Sequence, residues 1–140
     1  MAYITTEEVK RIRTELKKEF GKTIKFSVTK HHYSKVDVHI MKSKYDIIGS
    51  LGTKRFNKDS IEYIKRDGRV DLNHHNLDNY FVDTEEGNKL DTIVKKIKDI
   101  ITNTVPYYDR SDIMTDYFDT AYYYTIGIGK WSKPYIMEVK

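Results

Sequence analysis

Cysteine is absent from the 140 residues, which excludes a disulfide framework, a thiolate metal site and a cysteine nucleophile. Proline occurs twice, tryptophan once and glycine seven times. That leaves little material for a proline-rich linker or a low-complexity tract. No apolar run approaches the roughly 20 residues needed to span a bilayer, and the opening MAYITTEEVK contains no apolar leader. The expectation is a cytoplasmic protein with no membrane partner. No repeat and no compositional break divides the chain, so residues 1–140 read as a single domain.

Charge is plentiful and unevenly spread. Charged residues make up 33% and hydrophobic residues 39%, with a formal net charge of +4. Residues 1–70 hold 17 Lys/Arg against 9 Asp/Glu, whereas residues 71–140 hold 8 against 12. A basic first half suits phosphate, and an acidic second half suits a basic partner surface.

Periodicity supplies the elements. Thr5 and Glu8 have capping-box spacing, with Ile4 and Val9 placed as a hydrophobic staple. Val9, Ile12, Leu16 and Phe20 then form one apolar stripe, and Gly21 comes next as a stop. Alternation at Ile24, Phe26 and Val28, and again at Val36, Val38 and Ile40, predicts two half-buried strands joined by a polar hairpin link. Between Lys42 and Arg69 the pattern weakens. GSLGTKRFNKDS reads as a loop, and SIEYIKRDG as a short helix capped by Asp59 or Ser60 and stopped by Gly68. Val70 and Leu72 mark a third strand. A long helix is expected from Asp83 or Thr84 to about Thr102, on the stripe Leu90, Ile93, Val94, Ile97, Ile100 and Ile101. Tyr122, Tyr124, Ile126 and Ile128 share one parity of a last long strand, and Pro134 confines the final residues to a sheet edge. The expected class is α+β, a mainly antiparallel sheet of about four to five strands packed by two main helices.

Few residues carry recognisable catalytic chemistry. His31, His32, His39, His74 and His75 include two adjacent pairs, but neighbours on a strand point to opposite faces and no His-x-His spacing occurs. Asp109, Asp112, Asp116 and Asp119 offer carboxylates that suit Mg²⁺, which keeps a metal-dependent nuclease as a third reading. Their spacing matches no calcium loop, and Asp and Ser before a strand are ordinary loop and capping residues. GIGK lacks the length and the Ser/Thr of a phosphate loop, and its glycines suit a bulge or a close backbone approach. No catalytic residue, cofactor or metal ligand is assigned.

Aromatic residues are the excess. Tyr107, Tyr108, Tyr117, Tyr122, Tyr123, Tyr124, Trp131 and Tyr135 fall close together. Tyrosine and tryptophan dominate interface hot spots, and they stack on unpaired bases. Strand parity buries only half of such a run, so Tyr123 is expected on the face opposite the helices, with Lys130 and Trp131 at the strand's end and low ground left just beyond Tyr123 by Gly127 and Gly129.

YITTEEVKRIRTELKKEF, then IKFSVTKHHYSKVDVHI, then SDIMTDYFDTAYYYTIGIGKWSKPY together resemble the large polyvalent protein-associated domain 29 family. The likeness spans nearly the whole chain, apart from residues 42–69. It implies an origin in phages, plasmids or integrative elements and no assigned catalytic activity. In format the chain is also similar to small phage-encoded inhibitors of host defence, including inhibitors of CRISPR nucleases. The leading expectation is therefore a non-enzymatic counter-defence protein in the bacterial cytoplasm. It would bind a host nuclease complex such as Cas9 with guide RNA through Asp109, Asp112, Asp116, Asp119, Tyr123, Lys130 and Trp131. The alternative is a nucleic-acid-binding accessory of phage or plasmid maintenance that uses Arg11, Lys17 and Lys18.

Overall fold

The first helix starts where side-chain chemistry sets it. In the computed structural model, which describes residues 3–21, 23–73, 76–108, 121–130 and 133–137, Thr5 is extended and its hydroxyl accepts a hydrogen bond from the Glu8 amide at 3.0 Å. Glu8 Oε1 accepts in return from the Thr5 amide at 2.9 Å. This reciprocal box satisfies two amides that a helix end otherwise leaves bare. Helix α1 (Thr6–Phe20) buries Val9, Ile12 and Leu16, and Gly21 ends it at φ 57°. Burial of each such side chain is worth roughly 1.5–3 kcal/mol.

Strands β1 (Ile24–His31) and β2 (Lys35–Ser43) form the expected hairpin, with His31 opposite Lys35 and Val28 opposite Val38. Met41 is an extra residue on β2, a bulge between the pairs Phe26↔Ile40 and Lys25↔Lys42. Helix α2 (Lys58–Asp67) is capped by Asn57, whose Oδ1 accepts from the Ser60 amide at 2.7 Å, so the cap precedes the expected Asp59 or Ser60. Gly68 closes it in the left-handed conformation. After β3 (Val70–Leu72), helix α3 (Glu85–Thr104) is capped by Thr84 and buries Leu90, Ile93, Val94, Ile97 and Ile101. Strands β4 (Tyr123–Ile128) and β5 (Ile136–Met137) complete the sheet.

The order is β1-β2-β4-β3, with β5 continuing along β2 beyond β4. The α+β class is as expected, but the sheet is mixed. Its middle pair, β2 with β4, is parallel from Lys35↔Tyr123 to Ile40↔Ile128. A parallel pair needs a long crossover, and here the crossover holds α2, β3 and α3. One sheet face is covered. Ile24, Val28, Val36, Val38, Ile40, Val70, Leu72, Tyr124, Ile126 and Ile128 share a core with the buried stripes of α1 and α3. The weakly patterned stretch after Lys42 is no bare loop, because Tyr45, Ile47 and Leu51 enter the same core. Among the described residues no helix is long and apolar enough to cross a membrane.

Two devices lock the end of β4. Gly129 has φ +70°, and a Cβ there would stand 2.2 Å from the Gly68 carbonyl oxygen, the close approach expected of GIGK. Beyond it, a ring of hydrogen bonds runs from the Tyr45 amide to Ser43 Oγ, on to the Tyr135 hydroxyl, and back to the Tyr45 carbonyl at 2.6 Å. β5 is thus tied to the same strand end as the loop that leaves β2.

Tyr124→Ala should destabilise the fold by about 3–5 kcal/mol in urea melts, as loss of a buried aromatic does, whereas Tyr123→Ala should change it by less than about 1 kcal/mol. The reverse order would mean the strand parity is inverted. The same residues predict a pH effect. Burial, reinforced by Tyr107, pushes the Tyr124 hydroxyl up to about 12, and burial raises Tyr122 as well. Unfolded tyrosine ionises near pH ~10, so these groups leave stability intact below about pH 10 and reduce it as pH rises from there through the folded values. Tyr124→Phe should therefore move the midpoint of alkaline unfolding, monitored by circular dichroism, to higher pH.

Candidate binding surfaces

The sheet face away from α1 and α3 carries Ser27 and Thr29 from β1, Lys35, Asp37 and His39 from β2, Tyr123, Thr125 and Gly127 from β4, and Asp71 from β3. Thr125 donates to Asp37 Oδ1 at 2.6 Å, and Lys35 Nζ lies 3.4 Å from the same oxygen. Lys35 and Asp37 are cross-linked this way without leaving the surface.

Gly127 decides the centre of this face. It sits between His39 and Asp71 in the register, and a Cβ on it would come 2.8 Å from His39 Cδ2 and 2.7 Å from Asp71 Oδ1. Because that Cβ is missing, side chains from two non-adjacent strands meet over β4, with His39 Nε2 3.7 Å from Asp71 Oδ1. The low ground expected beyond Tyr123 is therefore filled from within the protein and does not lie open to a partner. The His39 imidazole holds the Asp71 carboxyl below the usual carboxylate range, with Arg69 and Lys35 acting in the same direction against partial burial. His39 Nδ1 is buried and makes no hydrogen bond among the described residues.

Ser27, His39 and Asp71 lie in one row across the sheet, but they do not form a hydrolytic triad. His39 Nδ1 has no hydrogen-bond partner among the described residues, and His39 Nε2 stands 3.7 Å from Asp71 Oδ1, beyond hydrogen-bonding range. The amides of β2 and β4 around the row belong to ladders on both sides, which leaves no free pair to hold an oxyanion.

A second feature lies at the end of the sheet where β1 turns into β2. The Tyr123 amide donates to the Ser34 carbonyl, the Ile4 amide to the Tyr33 carbonyl, the Tyr3 amide to the Ala121 carbonyl and the Ala121 amide to the Tyr108 carbonyl, all within 2.7–2.9 Å. Four chain segments are thereby laced together, and each brings a tyrosine. Tyr3 is 56% exposed, Tyr33 54%, Tyr123 50% and Tyr108 40%. Half of the large apolar side chains exposed among the described residues stand at this one end. His31, the last residue of β1, and His32, the first of the turn, have rings 4.1 Å apart.

Of the residues singled out from the sequence, Tyr123 stands exposed where parity places it, opposite buried Tyr122 and Tyr124. Lys130 is half-buried, and its amide and carbonyl pair with Lys133. Arg11, Lys17 and Lys18 are exposed on α1, and Arg11 lies 4.0 Å from Glu8. Asp109, Asp112, Asp116, Asp119 and Trp131, like His74 and His75, lie outside the described residues. Among the described residues no three His, Asp or Glu gather as a metal site would need. Sequence periodicity offers no reason to join Tyr3 and Tyr33 to Tyr123, since their meeting depends on the sheet order.

Compared with family models, with curated proteins and with solved structures, the chain matches none.

The His39–Asp71 contact can be checked by titration. A carboxyl held low adds stability that is present above its unfolded pKa of about 3.9 and is lost as pH falls through its folded value. His39→Ala should raise the Asp71 midpoint toward the ordinary range in carboxyl-carbon NMR. An unchanged midpoint would show that the imidazole is not the cause.

Proposed function

We propose that this protein is a non-enzymatic binding protein of a mobile genetic element, whose tyrosine-bearing sheet end docks on a host nuclease complex of the Cas9 type in the bacterial cytoplasm. The observation that supports this reading is the gathering of Tyr3, Tyr33, Tyr108 and Tyr123 on four laced segments. Tyrosine offers a large, rigid contact area with a polar tip and loses little rotamer freedom when it is covered. A rigid backbone beneath such residues lowers the ordering cost of binding. The choice of a nuclease partner rests on the resemblance of the three sequence stretches to mobile-element domains and on the small format of the chain.

The test is a pull-down against Cas9 with and without guide RNA, alongside a DNA cleavage assay. Binding and inhibition are expected, and the double change Tyr33→Ala with Tyr123→Ala should weaken binding by about 30-fold or more, the scale of a lost hot spot. The melting temperature should stay near that of the unchanged protein. Normal cleavage together with no binding to the nuclease, loaded or empty, would overturn the reading.

A further inference from the structure

Helix α1 sorts its charges by side. Glu15 and Glu19 face α3, where Glu19 pairs with Lys96 and Glu15 shares a groove with Asn103 and Thr104. The opposite flank carries Lys10, Arg13 and Lys17 at spacings of three and four, one line along the helix. Arg13 fixes where that line points, since its Nη2 donates to the Val28 carbonyl at 2.7 Å, on the free edge of β1. α1 runs antiparallel to β1, because Ile4 bonds Tyr33 at one end and Phe20 stacks near Phe26 at the other. Lys10 therefore lies toward the Lys30 end of the strand and Lys17 toward the Lys25 end.

None of these five cations has a carboxylate within 4.0 Å among the described residues, and four of them, Lys10, Lys17, Lys25 and Lys30, are exposed along with the outer part of Arg13. On α3, by contrast, Lys95 is held by Asp78 at 2.7 Å and by Asp91 at 3.0 Å. Lysines on an edge strand also deter pairing with another chain. That role accounts for Lys25 and Lys30, but it gives no reason for the line of Lys10 and Lys17 on a helix.

We infer that this α1–β1 edge is a phosphate-binding track for duplex nucleic acid, a site independent of the tyrosine end. Lys25 shares the far face of the sheet with Ser27 and Thr29, whereas Lys30 lies on the helix face opposite Val36. The track therefore consists of Lys10, Arg13, Lys17 and Lys30, and the seven residue steps from Lys10 to Lys17 cover about 10 Å at ~1.5 Å each. One strand of a duplex presents a phosphate about every 3.4 Å along its axis, so the track faces about three or four of them. A single strand is usually held by aromatic platforms along its path, and the exposed tyrosines stand at one end of this track instead of beside it. The assignment also revises the cations chosen from the sequence. Lys17 belongs to the track, while Arg11 and Lys18 sit on the outermost face of the helix, about 100° or more around from Lys17 at ~100° per residue.

Fluorescence anisotropy of the purified protein on labelled duplex DNA, duplex RNA and single-stranded DNA tests this without any nuclease present. Duplex binding is expected at low salt, and affinity should fall by about 10²-fold between 50 and 200 mM salt if roughly four phosphates are engaged. Lys10→Gln, Lys17→Gln and Lys30→Gln should each reduce the salt slope by about one, while Lys65→Gln on α2, which removes the same charge elsewhere, should leave it unchanged. The two duplex arms separate DNA from RNA as the source of the phosphates. Absence of duplex binding at 50 mM salt, tighter binding to the single strand, or equal effects of Lys65→Gln and the track changes would each overturn the inference and leave the lysines as guards of the strand edge.

Discussion

The parallel pairing of β2 with β4 is the constraint on which the other features depend. It sets Val36, Val38 and Ile40 beside Tyr124, Ile126 and Ile128 in one inward layer. A shift of one residue would turn every one of these side chains to the other face, so the buried row fixes the register strongly. The outward row is then set with no further choice. Lys35 meets Tyr123, Asp37 meets Thr125, and His39 meets Gly127. The chemistry available on that face is a by-product of the side chains that must be buried on the other.

Tyrosine shows how far position decides the role of one residue type. Tyr122 is buried and donates its hydroxyl to the Val105 carbonyl at 2.6 Å, and Tyr80 is buried with its hydroxyl accepting from the Asn73 amide at 2.6 Å. A buried phenol needs such a partner, since desolvating it unpaired is costly. Tyr3, Tyr33 and Tyr123 instead leave the body of the ring in water. Exposing an aromatic gains the fold nothing, so their gathering at one end is not explained by the core. Charge is divided in a similar way on α1, with Glu15 and Glu19 turned toward α3 and Lys10, Arg13 and Lys17 turned toward the sheet edge.

Local chemistry was legible in the sequence to the extent that it acts over a few residues. The Thr5–Glu8 box, the stripes of α1 and α3, the hairpin strands and the parity of β4 all come from spacing alone. Asn57 displaced the expected cap because any of several neighbouring polar residues can fill that role, and tertiary packing chooses among them. The parallel centre of the sheet was not legible, since it joins strands separated by residues 44–122 and no local pattern records it. The same long range hid the surfaces. Tyr33 sits in a turn and Tyr3 before a helix, and only the order of strands makes them neighbours of Tyr123. The occupation of the ground above Gly127 by His39 and Asp71 was hidden for the same reason, because it needs β2 and β3 to flank β4.

The separation of β2 from β4 also bears on how the chain is made. Helix α1 and the hairpin emerge first, and they can pair locally at small cost in loop entropy. The remaining edge of β2, with Val36, Val38 and Ile40 beside it, has no strand to receive until Ile128 has been synthesised. At ~5–20 residues per second, the roughly 80 intervening residues take about 4–16 s. During that interval the nascent protein displays an apolar strand edge that its finished form conceals, so the early life of each molecule depends on what shields that edge at the ribosome.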